Sequence, residues 1–511
     1  MKDKKIFDYI KSNYKNILFI LSLILISFFL VSKVNTNLGI NLSKKYKYLF
    51  YIIIIFVQLM FFILIKKIYS NNVKIEKIFL IIAIPIGFLY LLLIPVSRVP
   101  DEQNHFLRAY DISEGHLISK KDENGNGGSI FKYDLVQYFK GSNGYIKYKD
   151  VYNNIKKEKV LNTEFIKFEN TSLYSFICYL PQTIGILISK ILSLPVVFSM
   201  YLGRLSNFIV WLLLIYLSIK KIPYKKISIM LFAFMPMMLQ EAISLSLDAL
   251  TNSMAIFLVS YVLYLKNRSD KLDRKDYLIV SLSSIIMSMC KIVYLPICLI
   301  VLLIPFEKFK SKKDKYIKII FLMFIVLFIN IVWLTISSSY LIEFNQGVNS
   351  ASQLKFILSN PILYLHYLFN TICDNIMFYV NSLIGFALCY FNVNISLILI
   401  FMYIILLIYA FIVDNDKKID SKDKLLSLII CISTILLIFT SLYIQWTPVG
   451  KNMIDGVQGR YFIPILLPLS ILCNNVSIYR KENNKKQELF IIELVVFINI
   501  CSLITIFFYH I

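Results

Sequence analysis

The chain has 511 residues, 58% hydrophobic and 15% aromatic, far more apolar than average usage, which excludes a soluble globular protein. Its formal charge of +23 would suit nucleic acid, but the lysines sit in short connections between apolar runs, as in a polytopic membrane protein. The eight cysteines form no Cys-x-x-Cys pair, so no zinc or dithiol motif is expected.

Apolar runs of membrane-spanning character lie at 16–32, 49–65, 77–96, 197–219, 227–243, 249–265, 277–289, 292–306, 316–337, 395–413, 425–443, 461–475 and 488–509. Lys2, Lys4, Lys5, Lys11 and Lys15 put the N-terminus in the cytoplasm. The clusters around Lys66, Lys220 to Lys226, Lys266 to Lys275, Lys308 to Lys315, Lys417 to Lys424 and Arg480 to Lys486 fall on the same side if the chain crosses about thirteen times. Only the loop carrying Lys33, Lys44, Lys45 and Lys47 dissents. Counting the apolar stretch 172–192 as a crossing would put Lys220 to Lys226 outside, so it is expected to lie in the outer interface. The first apolar run lacks a small-residue cleavage site and is expected to stay as an anchor.

The expected architecture is therefore an all-α polytopic membrane protein with about thirteen transmembrane helices. An N-terminal transmembrane hairpin (1–75) precedes a membrane core (76–477), and a last transmembrane helix (478–511) follows. Three polar excursions, 98–171, 338–394 and 445–460, are expected outside the cytoplasm, the first with a turn-rich tip from Asp122 to Ser129.

Ionisable residues at or in a bilayer are costly and usually have a partner or a task. Asp101 and Glu102, followed by His105 and Arg108, stand where run 77–96 ends. The two acids could cap an interfacial helix, or they could work at the membrane surface. Glu241 and Asp248 occupy a later outer turn, where Asp248 could instead be an N-cap. Lys291 stands alone between two runs, either snorkelling to the headgroups or binding an anion. Gln458 lies between Gly456 and Gly459, which would let backbone approach a ligand, and Arg460 beside Tyr461 offers a planar fork for phosphate. Arg460 could equally anchor at the headgroups, and Arg204 could join it or pair with an acid.

Carboxylates and cations at one membrane face suit glycosyl transfer from a polyprenyl-phosphate sugar. A carboxylate deprotonates the acceptor hydroxyl, and cations stabilise the departing lipid phosphate. No Walker loop, dinucleotide fingerprint or histidine metal motif competes.

The string Pro100, Asp101, Glu102, His105, Phe106, Arg108, Ala109, Tyr110, Ile112, Ser113, Glu114, Gly115 resembles the signature of the bacterial membrane-protein family DUF2142. The resemblance continues through Tyr174, Tyr179, Leu180, Pro181 and Gln182; Arg204, Leu205 and Asn207; Ser244, Ser246 and Asp248; Lys291, Tyr294 and Pro296; and Gln458 to Phe462. That family looks like a branch of the GT-C membrane glycosyltransferases. The resemblance implies a GT-C-like core with extracytoplasmic interfacial helices, an essential acid at Asp101 and a second acidic position at Asp248. Two spans before the usual first helix and the absence of a clean Asp-x-Glu depart from the superfamily pattern. Without a large C-terminal soluble domain, a lipid or cell-envelope glycan acceptor is favoured over protein.

The expectation is thus an enzyme of the bacterial cytoplasmic membrane with an extracytoplasmic site. Asp101 is the base, with Glu102 and His105 orienting it or the acceptor, and Asp248 and Glu241 hold the acceptor. Arg460, Gln458, Tyr461, Lys291, Arg204 and Arg108 bind the donor phosphate. A divalent cation, Mg²⁺ or Mn²⁺, on Asp101 and Asp248 is permitted but not required. The alternatives are a transporter or flippase, or a polymerase, of a surface glycan precursor.

Overall fold

The computed structural model describes residues 73–132, 147–155, 163–340, 346–414, 419–473 and 484–510, with scattered positions between 52 and 67. The first apolar run and the dissenting lysine loop lie outside the described residues. The described chain is mostly helical, and six of its helices are long and apolar enough to cross a membrane: Ile75–Leu93, Val196–Lys221, Asp248–Asn267, Lys312–Tyr340, Ser421–Gln445 and Gln487–His510. Asp248–Asn267 is the central one, with 89% of its apolar window buried in the protein.

Several apolar runs fold differently from single α-helices. Run 227–243 is interrupted: Lys226–Ala233 ends, and Pro236 opens a second short helix, Pro236–Ala242, because proline suits a first helical turn but not an interior. Run 292–306 is a 3-10 helix, Ile292–Leu303. At about 2 Å per residue it covers roughly 24 Å, most of a hydrocarbon core, with few residues. Run 461–475 is a 3-10 helix, Gly459–Ile465, that continues as Leu466–Leu472.

Stretch 172–192 becomes a 3-10 turn, Phe176–Tyr179, and a helix, Leu180–Ile191, too short to span. It packs closely on Val196–Lys221. A Cβ on Gly185 would come within 2.1 Å of the Leu202 carbonyl oxygen, so only glycine allows this approach, the usual means of close helix contact in membranes.

The basic connections gather at one end. Lys225 donates to the Phe411 carbonyl (2.8 Å), the Ser228 amide donates to Asp414 (2.8 Å), Lys266 pairs with Asp423, and Lys308 donates to the Arg268 carbonyl. Burial lowers the Lys225 ammonium to about 8, since desolvation disfavours the charged form.

The opposite end carries the expected loops. The first holds a three-stranded antiparallel sheet in the order β1 (Lys120–Lys121), β2 (Gly127–Lys132), β3 (Thr163–Lys167), a small β element in an otherwise helical chain. The turn-rich tip joins β1 to β2: the Asp122 carboxylate accepts from the amides of Asn124 (3.0 Å) and Asn126 (2.8 Å). The second excursion contains a long helix, Pro361–Ile384, opened by proline and buried along Tyr364, Leu368, Thr371, Tyr379 and Ser382. Those residues clamp the third loop, since Thr371 accepts from the Ile454 amide and Ser382 from the Gly459 amide, each at 3.0 Å.

Candidate functional site

The chain leaves helix Ile75–Leu93 through a sharp connection in which Ser97 (φ +66°) and Asp101 (φ +59°) are left-handed. Such backbone costs a non-glycine residue about 1–2 kcal/mol, so other contacts must hold it. Glu102 does this. Its carboxylate is fully buried and takes Arg204 in a fork, Nε at 2.7 Å and Nη2 at 2.6 Å, while accepting from the amides of Ser97 (2.8 Å) and Leu245 (3.2 Å). Arg204 also donates to the carbonyls of Ile94 (2.6 Å) and Pro95 (3.0 Å).

The pair thus fastens the connection, the helix Glu102–Ser113, the helix Val196–Lys221 and the turn before Asp248. Gln182 and Asn207 complete the joint by donating to carbonyls of that turn, Gln182 to Leu245 (3.1 Å) and Asn207 to Ser244 (2.9 Å) and Ser246 (3.0 Å). The expected orienting role of Glu102 and phosphate role of Arg204 therefore give way to structural ones, because each already satisfies the other.

Arg108 is corrected in the same way. Its guanidinium is buried against Asp111 (3.1 Å) and donates to the carbonyls of His116 (3.2 Å) and Leu117 (2.5 Å). It pins the start of the outer loop and does not reach the chamber.

Asp101 differs. It is exposed, and its Oδ1 accepts from the Asn170 amide at 3.1 Å, with Asn170 in turn held by Asn104 at 2.5 Å. Among the described residues no cation pairs with it at salt-bridge distance. One turn on, His105 is buried, with Nδ1 2.8 Å from the Tyr179 hydroxyl and its ring stacked at 6.3 Å on Tyr174. Burial pushes the imidazole down to about 4, so it is neutral at physiological pH. Asp101, Asp248, Lys291 and Arg460 all lie near enough to act on it electrostatically.

Asp248 is the first residue of its helix, not the cap, and its side chain makes no capping bond. It pairs with Lys291 at 2.5 Å. Lys291 stands where the α-helix Arg274–Cys290 gives way to the 3-10 helix, and its ammonium lies 5.2 Å from the Tyr461 ring. Arg460 pairs with buried Glu241 at 3.1 Å. Among the described residues Arg460 Nε and Glu241 Oε2 have no hydrogen-bond partner, so unused bonding capacity is held there. Gln458 and Arg460 line a narrow pocket with Pro100 and Gln240.

The glycines act on protein and not on a ligand. A Cβ on Gly459 would lie 2.1 Å from the Tyr379 carbonyl oxygen, and one on Gly456 (φ +82°) would lie 2.7 Å from the Trp446 ring. Among the described residues no group of three His, Cys, Asp or Glu converges, and Lys291 pairs with Asp248.

Sequence reading missed Asn170, whose contact with Asp101 spans 69 positions, and Trp333, which donates from Nε1 to the Leu173 carbonyl at 2.9 Å. Only their place at outer ends of apolar runs could have signalled them.

A family model described as predicted membrane protein (DUF2142) matches residues 84–469. No curated protein and no solved structure is matched by the chain. The matched range includes Asp101, His105, Glu241, Asp248, Lys291 and Arg460, and it covers well over half of the 511 residues. The chain therefore belongs to the DUF2142 family of membrane proteins.

Proposed function

We propose that the protein is an integral-membrane glycosyltransferase that takes a sugar from polyprenyl phosphate at the outer face of a bacterial cytoplasmic membrane and transfers it to a cell-envelope glycan or lipid. The observation that carries this reading is an exposed carboxylate, Asp101, steadied by the neutral amide of Asn170, with His105 within electrostatic reach of it and of two buried ion pairs, Asp248 with Lys291 and Glu241 with Arg460.

A base needs an accessible, correctly turned oxygen near the proton it removes. Asp101 has one oxygen on Asn170 and the other open to an acceptor. As the acceptor oxygen bonds to the sugar's anomeric carbon, its proton passes to Asp101. The bond from that carbon to the phosphate oxygen breaks, and polyprenyl phosphate leaves with the electron pair. Lys291 and Arg460 balance the charge that grows on the phosphate, a large effect in a water-poor chamber. Neutral His105 shapes the wall between acid and cations without adding a charge.

Transfer of radiolabelled hexose from polyprenyl phosphate to membrane glycan tests the reading. Asp101→Asn keeps shape and the Asn170 contact but removes the base, and the rate is expected to drop by about 100-fold or more. Wild-type turnover in that variant would refute the assignment.

A further inference from the structure

Lys291 also lines a cavity of about 390 Å³ between the helices Lys312–Tyr340 and Ser421–Gln445 and the 3-10 helix Ile292–Leu303. It is a well-formed ligand cavity by size. Its walls include Leu173, Val293, Trp333, Leu334, Ile438 and Leu442. From Ser338 down to Asn330 the wall descends eight helical residues, roughly 12 Å into the span.

The polar side chains along that descent are already satisfied. Asn330 donates to Ser288 Oγ and to the Val326 carbonyl, both at 2.8 Å, Ser441 donates to the Ile438 carbonyl at 2.9 Å, and Ser337 to the Leu334 carbonyl at 3.4 Å. Their hydrogen atoms turn into the protein, so apart from Gln445 the cavity offers a mainly apolar surface, which disfavours a sugar. Its polar end is Lys291, between Tyr174 and Tyr461. An ammonium has three donors, and Asp248 accepts one of them. The two flanking helices are also the least buried of the candidate spans, at 22% and 33% of their apolar windows, so they turn much of their apolar surface away from the rest of the protein.

We infer that this cavity admits a long-chain lipid phosphate sideways from the membrane, with its tail between the two helices and its phosphate on Lys291. That the lipid is polyprenyl phosphate rests on the function proposed above. The chamber would then receive its donor through the membrane, while the acceptor reaches exposed Asp101 from the aqueous side.

Purified full-length protein in nanodiscs, exposed to polyprenyl phosphate carrying a tail-end benzophenone, tests this. Label is expected on peptides of Lys312–Tyr340 and Ser421–Gln445, displaced by unlabelled polyprenyl phosphate. Ser441→Trp fills the cavity without touching an ion pair, and its labelling should fall about tenfold or more with an unchanged gel-filtration profile. Lys291→Met should weaken labelling as well, and because it strands Asp248 the tryptophan variant decides the matter if the methionine variant misfolds. Label elsewhere, wild-type labelling of Ser441→Trp, or equal displacement by phosphatidylglycerol or inorganic phosphate would overturn the inference. Labelling as expected without any sugar transfer would keep the lipid site and remove the glycosyltransferase reading.

Discussion

Glu102→Ala is the most informative single change, because it separates a structural acid from its exposed neighbour. The substitution removes four accepted hydrogen bonds, two from Arg204 and one each from the Ser97 and Leu245 amides. Arg204, fully buried, keeps the carbonyls of Ile94 and Pro95 but loses its carboxylate partner. Removing one partner from a buried ion pair costs about 3–5 kcal/mol, because the other charge is left uncompensated. That is a large part of the 5–15 kcal/mol typical of a folded domain.

Thermal unfolding in detergent, followed by fluorescence-detected gel filtration, should show Glu102→Ala and Arg204→Ala strongly destabilised. The double variant should cost clearly less than the sum of the two single ones, because its members act through one joint; a coupling of about 2–3 kcal/mol is expected. Additive losses, or a Glu102→Ala protein of wild-type stability that has lost activity, would refute the structural assignment and return Glu102 to the chemistry.

His105 gives a pH prediction. Its folded value near 4 lies below the ordinary 6.5, so the unfolded chain binds the extra proton first as the solution is acidified. Stability is therefore full above about pH 6.5 and declines down to about pH 4, by at most about 3 kcal/mol. His105→Gln should flatten unfolding curves across that window, and an unchanged slope would contradict the assignment. Asn170→Ala, which releases one Asp101 oxygen, should lower kcat about three- to tenfold with KM nearly constant, because the base is no longer held in one orientation. Gly185→Ala drives a methyl group into the Leu202 carbonyl. It should destabilise the protein by about 1–3 kcal/mol in the same unfolding assay.

Much of the architecture is legible because the bilayer imposes simple rules. Apolar runs mark crossings, and basic clusters mark one side; the contacts of Lys225, Lys266 and Lys308 at one end and of Asp101, Asp248 and Lys291 at the other follow that division. The turn around Asp122 is equally local, since its side chain caps amides two and four residues on. What misleads is the geometry within a run. Hydropathy cannot distinguish an α-helix from the 3-10 helix at Ile292–Leu303, nor reveal that run 227–243 breaks before Pro236.

Sequence alone placed two adjacent acids at the end of a crossing and assembled the cast of distant cations and acids around them. It could not divide their labour. Asp101 and Glu102 are neighbours, yet the left-handed backbone at Asp101 leaves its carboxylate in the open while Glu102 turns inward to an arginine 102 positions away. A contact of that range leaves no local trace in composition or spacing. The same holds for Lys291, which finds Asp248 across 43 positions, and for Arg460, which finds Glu241 across 219. Burial makes each unpaired charge costly, so tertiary packing decides which partner each buried group takes and which carboxylate is left facing solvent.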